Sequence, residues 1–130
     1  MKHIFIIAAI TTLSVSRISA QNIIPAKNAA KYFGHKIRVC DKVYGSSHQS
    51  DRTLLYLGEE YPKQLLTLII KTSDLSKFKE HPDIDFKGKD ICITGVVVND
   101  KGKPEIVVTD PKQIKPYLVD SPVKQKSSLN

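Results

Sequence analysis

Two periodicities alternate along this chain. From Lys36 to Tyr44 apolar residues fall on every second position, Ile37, Val39 and Val43 on one side and Arg38, Cys40, Lys42 and Tyr44 on the other. That alternation predicts a half-buried strand. Thr53 to Leu57 predicts a second strand, stopped at Gly58, and the Leu- and Ile-rich run from Leu65 to Lys71 a third. Lys89 to Val98 and Pro104 to Thr109 predict a fourth and a fifth, joined by the polar turn Asn99 to Lys103, where Gly102 is free to take a positive φ. Helical spacing intervenes twice. Ala26, Ala29, Ala30 and Phe33 mark a short helix over Ile24 to Phe33, with Pro25 in its first turn and Gly34 after it. Ser73 to Lys79 marks another, capped by Ser73, burying Leu75 and Phe78 and ending at His81-Pro82. Gly45 to Arg52 reads as a polar loop.

The resulting order is helix, three strands, short helix, two strands. Five short strands with a helix between the third and fourth is the chain order of a five-stranded OB-type Greek-key barrel, the fold expected here in place of a generic α+β sandwich. One feature sits awkwardly with a solvated binding face. Leu54, Leu55, Leu57, Leu66, Leu68, Ile69 and Ile70 make the second and third strands apolar on both sides, which suits a face covered by a helix, a partner chain or another domain.

The two ends of the chain read differently from its middle. Lys2 and His3, the apolar run Ile4 to Val15 and small Ala20 before Gln21 form a signal-peptide pattern over residues 1–20. The run falls short of the roughly 20 residues that span a bilayer; an uncleaved N-terminal anchor is the alternative. Residues 21–118 form the expected domain, and the Ser-, Lys- and Pro-bearing residues 119–130 an expected disordered tail. Secretion or delivery to a periplasm follows. Lys2 and Arg17 leave with the signal segment, so 18 of the 20 basic side chains face 13 acidic ones, an excess of five. Such an excess favours anionic partners, and it equally suits an ordinary solvated surface.

Export gives the two cysteines a redox context in which disulfides persist. In OB topology the first and fourth strands pair antiparallel, which puts Cys40 and Cys92 on the same outer side of neighbouring strands. A disulfide is then within geometric reach. Two reduced thiols packed as small apolar groups are the alternative, and a slip of one residue in register would separate them.

Gly34-x-Lys-Ile-x-Val-Cys40-x-Lys-Val43, Leu57-Gly58 with Tyr61-Pro62, Lys87-Gly88-Lys-x-Ile91-x-Ile-Thr94-Gly95 and Gly102-Lys103-Pro104-x-Ile106-Val107-Val108 carry a resemblance. Over Ile24 to Ile114 the chain resembles a bacterial family of small, often exported OB-fold domains, found alone or attached to nucleases and described as nucleic-acid-binding. The resemblance implies no catalytic residues. Asp41 departs from the pattern, which has glycine there.

OB barrels that hold single strands use the face of strands two and three with the one–two and four–five loops around it. On that mapping the candidate contacts are Lys42, Tyr44, His48, Arg52, Tyr56, Lys71, Lys101 and Lys103, with Tyr44 and Tyr56 as stacking platforms. A tyrosine in a strand and a lysine in a turn are also ordinary surface choices. No catalytic motif, cofactor loop or metal-ligand spacing occurs, so the expectation is a non-catalytic module without cofactor or metal. Its expected partner is single-stranded nucleic acid or another anionic polymer; the alternative is a protein partner or a second copy docked on an apolar face.

Overall fold

The computed structural model describes residues 22–118, so the expected signal segment and C-terminal tail lie outside the described residues. The fold is mainly β. Its elements are β1 (Ile23–Ile24), a 3-10 helix (Ala26–Tyr32), β2 (Lys36–His48), β3 (Arg52–Leu57), β4 (Leu66–Lys71), α1 (Thr72–Leu75), α2 (Pro82–Asp85), β5 (Asp90–Asp100), β6 (Lys103–Val107), a 3-10 turn (Pro111–Gln113) and β7 (Ile114–Pro116).

Five of the seven strands are paired in a circuit. β2 pairs antiparallel with β3, β3 with β4, β4 runs parallel to β6, β6 pairs antiparallel with β5, and β5 returns antiparallel to β2. One strand thus serves two neighbours in succession. The first half of β2, Lys36 to Lys42, lies against β5, and its second half, Val43 to His48, against β3. The register shifts between Val43 and Gly45, a bulge that sharpens twist where the strand changes partner. β1 adds to the outside of β2 and β7 to the outside of β5.

The core lies inside this circuit. Val39, Leu55, Leu68, Ile93 and Ile106 are fully buried, supplied by alternate positions of β2, β3, β4, β5 and β6. The alternation resolves the doubly apolar strands: Leu55, Leu57, Leu66, Leu68 and Ile70 point inward, whereas Leu54 and Ile69 lie on the opposite face.

Several expectations need correction. The N-terminal helix is 3-10 and starts at Ala26, with Ile24 already in β1. Ala26 and Ala29, three apart, lie on one line of a three-residue turn and are both buried against the sheet. The spacing that suggested an α-helix fits the tighter period equally. Asp41 accepts the Ala26 N–H at 3.3 Å and the Lys42 N–H at 2.8 Å, so the carboxylate that departs from the family pattern holds the start of this helix. Gly45 to His48 is strand, because the β3 ladder supplies partners that an apolar alternation would otherwise signal. The single helix expected over Ser73 to Lys79 is replaced by the one-turn helices α1 and α2, and Ser73 does not cap the first of them. Pro82 begins the second, since its missing N–H costs nothing at a first helical position.

Two expectations at turns and bonds hold. Gly102 has φ 85° and Lys101 φ 51°, the geometry of a two-residue hairpin, and Asn99 Oδ1 accepts the Gly102 N–H at 2.6 Å. Cys40 and Cys92 are directly opposed across β2 and β5 with Cα atoms 4.0 Å apart, and they are bonded.

Candidate nucleic-acid interface

The outward positions of the strands build one continuous face. The registers align Gly45, Tyr56, Thr67 and Glu105 in a row across β2, β3, β4 and β6, and Ser47, Leu54, Ile69 and Val107 in the next. A groove of about 740 Å³ runs over this face. Its floor is part apolar, from Leu54 and Ile69, and part polar, from Thr67 and Gln64.

Four of the eight expected contact residues line the groove: Tyr44, Arg52, Tyr56 and Lys103. Lys42 stands beside it, its ammonium 5.1 Å from the centre of the Tyr44 ring, within cation–π range. The other three lie elsewhere. Lys71 borders a smaller recess with Asp51 and Thr72, which shares Arg52 and Ile69 with the groove. Lys101 occupies the hairpin turn without lining the groove. His48 Nδ1 sits 3.0 Å from Thr53 Oγ1 at the end of β2, also outside the groove lining.

The aromatic surface differs from the expected one. Tyr56 is only 7% exposed, because Tyr61 lies over it with ring centroids 5.2 Å apart. Tyr61 is 66% exposed and presents the free ring. It belongs to a connection whose sequence shows only turn residues, so strand periodicity offered no signal for it. The connection is folded back by its first residue. Gly58 has φ 87°, and an added Cβ would stand 2.8 Å from Leu65 Cδ1, so both conformation and space require glycine. Glu60, Gln64 and Lys87, on the two connections flanking the face, were likewise unread, as were Asp100 and Glu105 on the β5–β6 hairpin.

The groove is not uniformly basic. Arg52, Lys87 and Lys103 are matched by Glu60, Asp100 and Glu105. Burial, chiefly, and then the neighbouring Asp100 charge and hydrogen bond raise the Glu105 carboxyl above its ordinary range, while Arg52 pulls it down. A raised carboxyl binds its proton more tightly folded than unfolded, so its contribution to stability is full at low pH and is lost as pH rises through the folded value. Glu105→Gln should therefore raise Tm relative to the parent at neutral pH, and the gain should vanish below the usual carboxylate range. Thermal melts of both proteins across that interval check it.

No protein-family model matches the sequence, and no curated protein does. Solved structures do resemble it. Asparaginyl-tRNA synthetase from Pyrococcus horikoshii aligns with TM-score 0.51 and 13% identity over 72% of this chain and 22% of its own. A putative aspartyl-tRNA synthetase from Leishmania major Friedlin aligns with TM-score 0.50 and 12% identity over 80% of this chain and 22% of its own. The chain thus spans about a fifth of the synthetases it matches. OBody AM3L15, solved bound to hen egg-white lysozyme, aligns with TM-score 0.54 and 13% identity over 75% of this chain and 94% of its own. At these identities the likeness is one of fold, and the fold is of OB type.

Proposed function

We propose that this chain is an exported, non-catalytic OB module, its five-strand circuit forming a closed barrel, whose outer groove binds single-stranded nucleic acid. The observation that carries the reading is the groove itself: exposed Tyr44 and Tyr61 rings beside the side chains of Arg52, Lys87, Lys103 and Lys42. Aromatic faces stack bases of any sequence, and the cations follow phosphates. The fold shared with two tRNA synthetases supports the choice of ligand class. Export rests on the pattern of residues 1–20 and on a Cys40–Cys92 bond of the kind that persists in oxidising compartments.

Fluorescence anisotropy with a labelled oligothymidylate of about ten nucleotides tests the reading. Three or four phosphate contacts predict a fall of log K with log salt of slope about −2 to −3. Tyr61→Ala should weaken binding by roughly 1–3 kcal/mol. Absence of binding at low salt refutes the proposal.

A protein partner is the second reading, favoured by the Leu54 and Ile69 floor and by the equal numbers of acidic and basic side chains around it. An OB-type relative solved bound to lysozyme gives that reading a parallel. A second copy of this chain on the groove would appear as a dimer in light scattering.

A further inference from the structure

A groove built only for phosphates leaves its carboxylates without a purpose. Glu105 does not sit at a strand end: it is half-buried at the centre of β6, in register with Thr67 and through it with Tyr56. Asp100, at the end of β5, lines the same groove. A third acceptor lies in the same groove. Gln64 Oε1 is buried without a hydrogen-bond partner, while its amide nitrogen stands 3.4 Å from Thr67 Oγ1. An orphaned buried acceptor bears the full cost of its lost hydration, which a donor on a ligand would restore. Glu105 and Gln64 thus offer half-buried acceptors in the groove that holds the Tyr56–Tyr61 aromatic pair, with Asp100, Arg52, Lys87 and Lys103 exposed around them.

We infer that the groove, on the strand-binding reading above, selects guanine among the bases, with Glu105 accepting hydrogen bonds from its Watson–Crick edge and Gln64 and Asp100 extending the acceptor surface. Single-stranded bases are read on that edge once unstacked. Guanine carries two donors side by side there, the ring N1–H and the exocyclic N2 amine, and the two oxygens of one carboxylate accept both. Adenine and cytosine set their exocyclic amine next to a ring nitrogen acceptor, which repels the second oxygen. Thymine and uracil offer a single N3–H between two carbonyls. The carboxylates thus face base edges, and the exposed cations keep the phosphates.

The test compares oligothymidylate with the same strand carrying one central dG, a single substitution that excludes quadruplex formation, and with strands carrying one dA or one dC. Anisotropy titrations of the mature, oxidised protein should give the dG strand an affinity roughly five- to 150-fold higher than oligothymidylate, the range of one good bidentate contact. Glu105→Gln, which keeps shape and removes an acceptor, should abolish that preference, so that the dG strand and oligothymidylate bind the variant alike. Asp100→Asn should reduce the preference in part, and circular dichroism of both variants verifies folding. Equal affinity for all four strands, equal gains from dA or dC, or a dG preference that survives in Glu105→Gln would overturn the inference while strand binding stands. Failure of every strand to bind overturns strand binding itself, and selectivity with it.

Discussion

Cys40→Ala combined with Cys92→Ala should lower the free energy of unfolding by roughly 2–4 kcal/mol. The two residues are 52 positions apart in sequence. Opening a loop of that size returns to the unfolded chain an entropy worth about 4 kcal/mol at room temperature in the chain-entropy treatment. The loop contains the remainder of β2, all of β3 and β4, both one-turn helices and the start of β5. Releasing it frees more than half of the described chain at once. Both positions are buried, Cys92 being 2% and Cys40 9% exposed, and alanine keeps each Cβ while deleting the sulfur. Urea titrations of the parent with and without reductant, beside the double variant, measure the loss. Reduced parent and variant should agree closely, and a loss under half a kcal/mol would contradict the expectation.

The second large effect falls on Gly58. Gly58→Ala should cost about 2–4 kcal/mol, combining a left-handed backbone penalty of roughly 1–2 kcal/mol with overpacking against Leu65. The clash is not with a flexible tip, since Leu65 Cβ and Cγ lie within 3.0 Å of the position the new carbon would take. Leu65 in turn packs on the core and donates its N–H to Leu57 O at 2.9 Å. Relief would therefore pull the loop away from β3. That loop carries Glu60, Tyr61 and Gln64 into the groove. The variant should lose stability in urea and should also show weaker oligonucleotide binding than its folded fraction explains. Tyr61→Ala, by contrast, should affect binding with little change in stability, because the ring is largely exposed.

Much of this fold is written in short-range pattern. The alternation in Lys36 to Tyr44 and the Asn99 to Lys103 turn locate β2 and the β5–β6 hairpin within a few residues. The two cysteines fix a register that no local signal contains, because both had to point to one side of paired strands. What escaped the pattern is tertiary in origin. The bulge and the β3 ladder carry β2 onward through Gly45 to His48, whose serines read as loop. β1 and β7 are two and three residues long, too short for any periodicity. The groove was half legible: alternation placed Tyr44 and Tyr56 on strands, and the loop and turn beside those strands supplied Arg52 and Lys103. Tyr61 arrives from a folded-back connection, and the significance of Glu105 depends on a neighbour across the hairpin and another across the sheet.

The short outer strands have a consequence for how this protein behaves in a crowd. Beside the circuit, β1 covers β2 at Arg38 and Val39, and β7 covers β5 at Ile91 to Ile93. Pro25 directly follows β1, and β7 ends on Pro116 after Lys115. Proline withholds the N–H that an incoming strand needs, and a charged lysine discourages stacking of like edges. A further chain that tries to extend the sheet at either place therefore meets a blunted edge two or three residues long. High concentration should leave these two edges free of the strand-to-strand aggregation to which exposed β edges are prone.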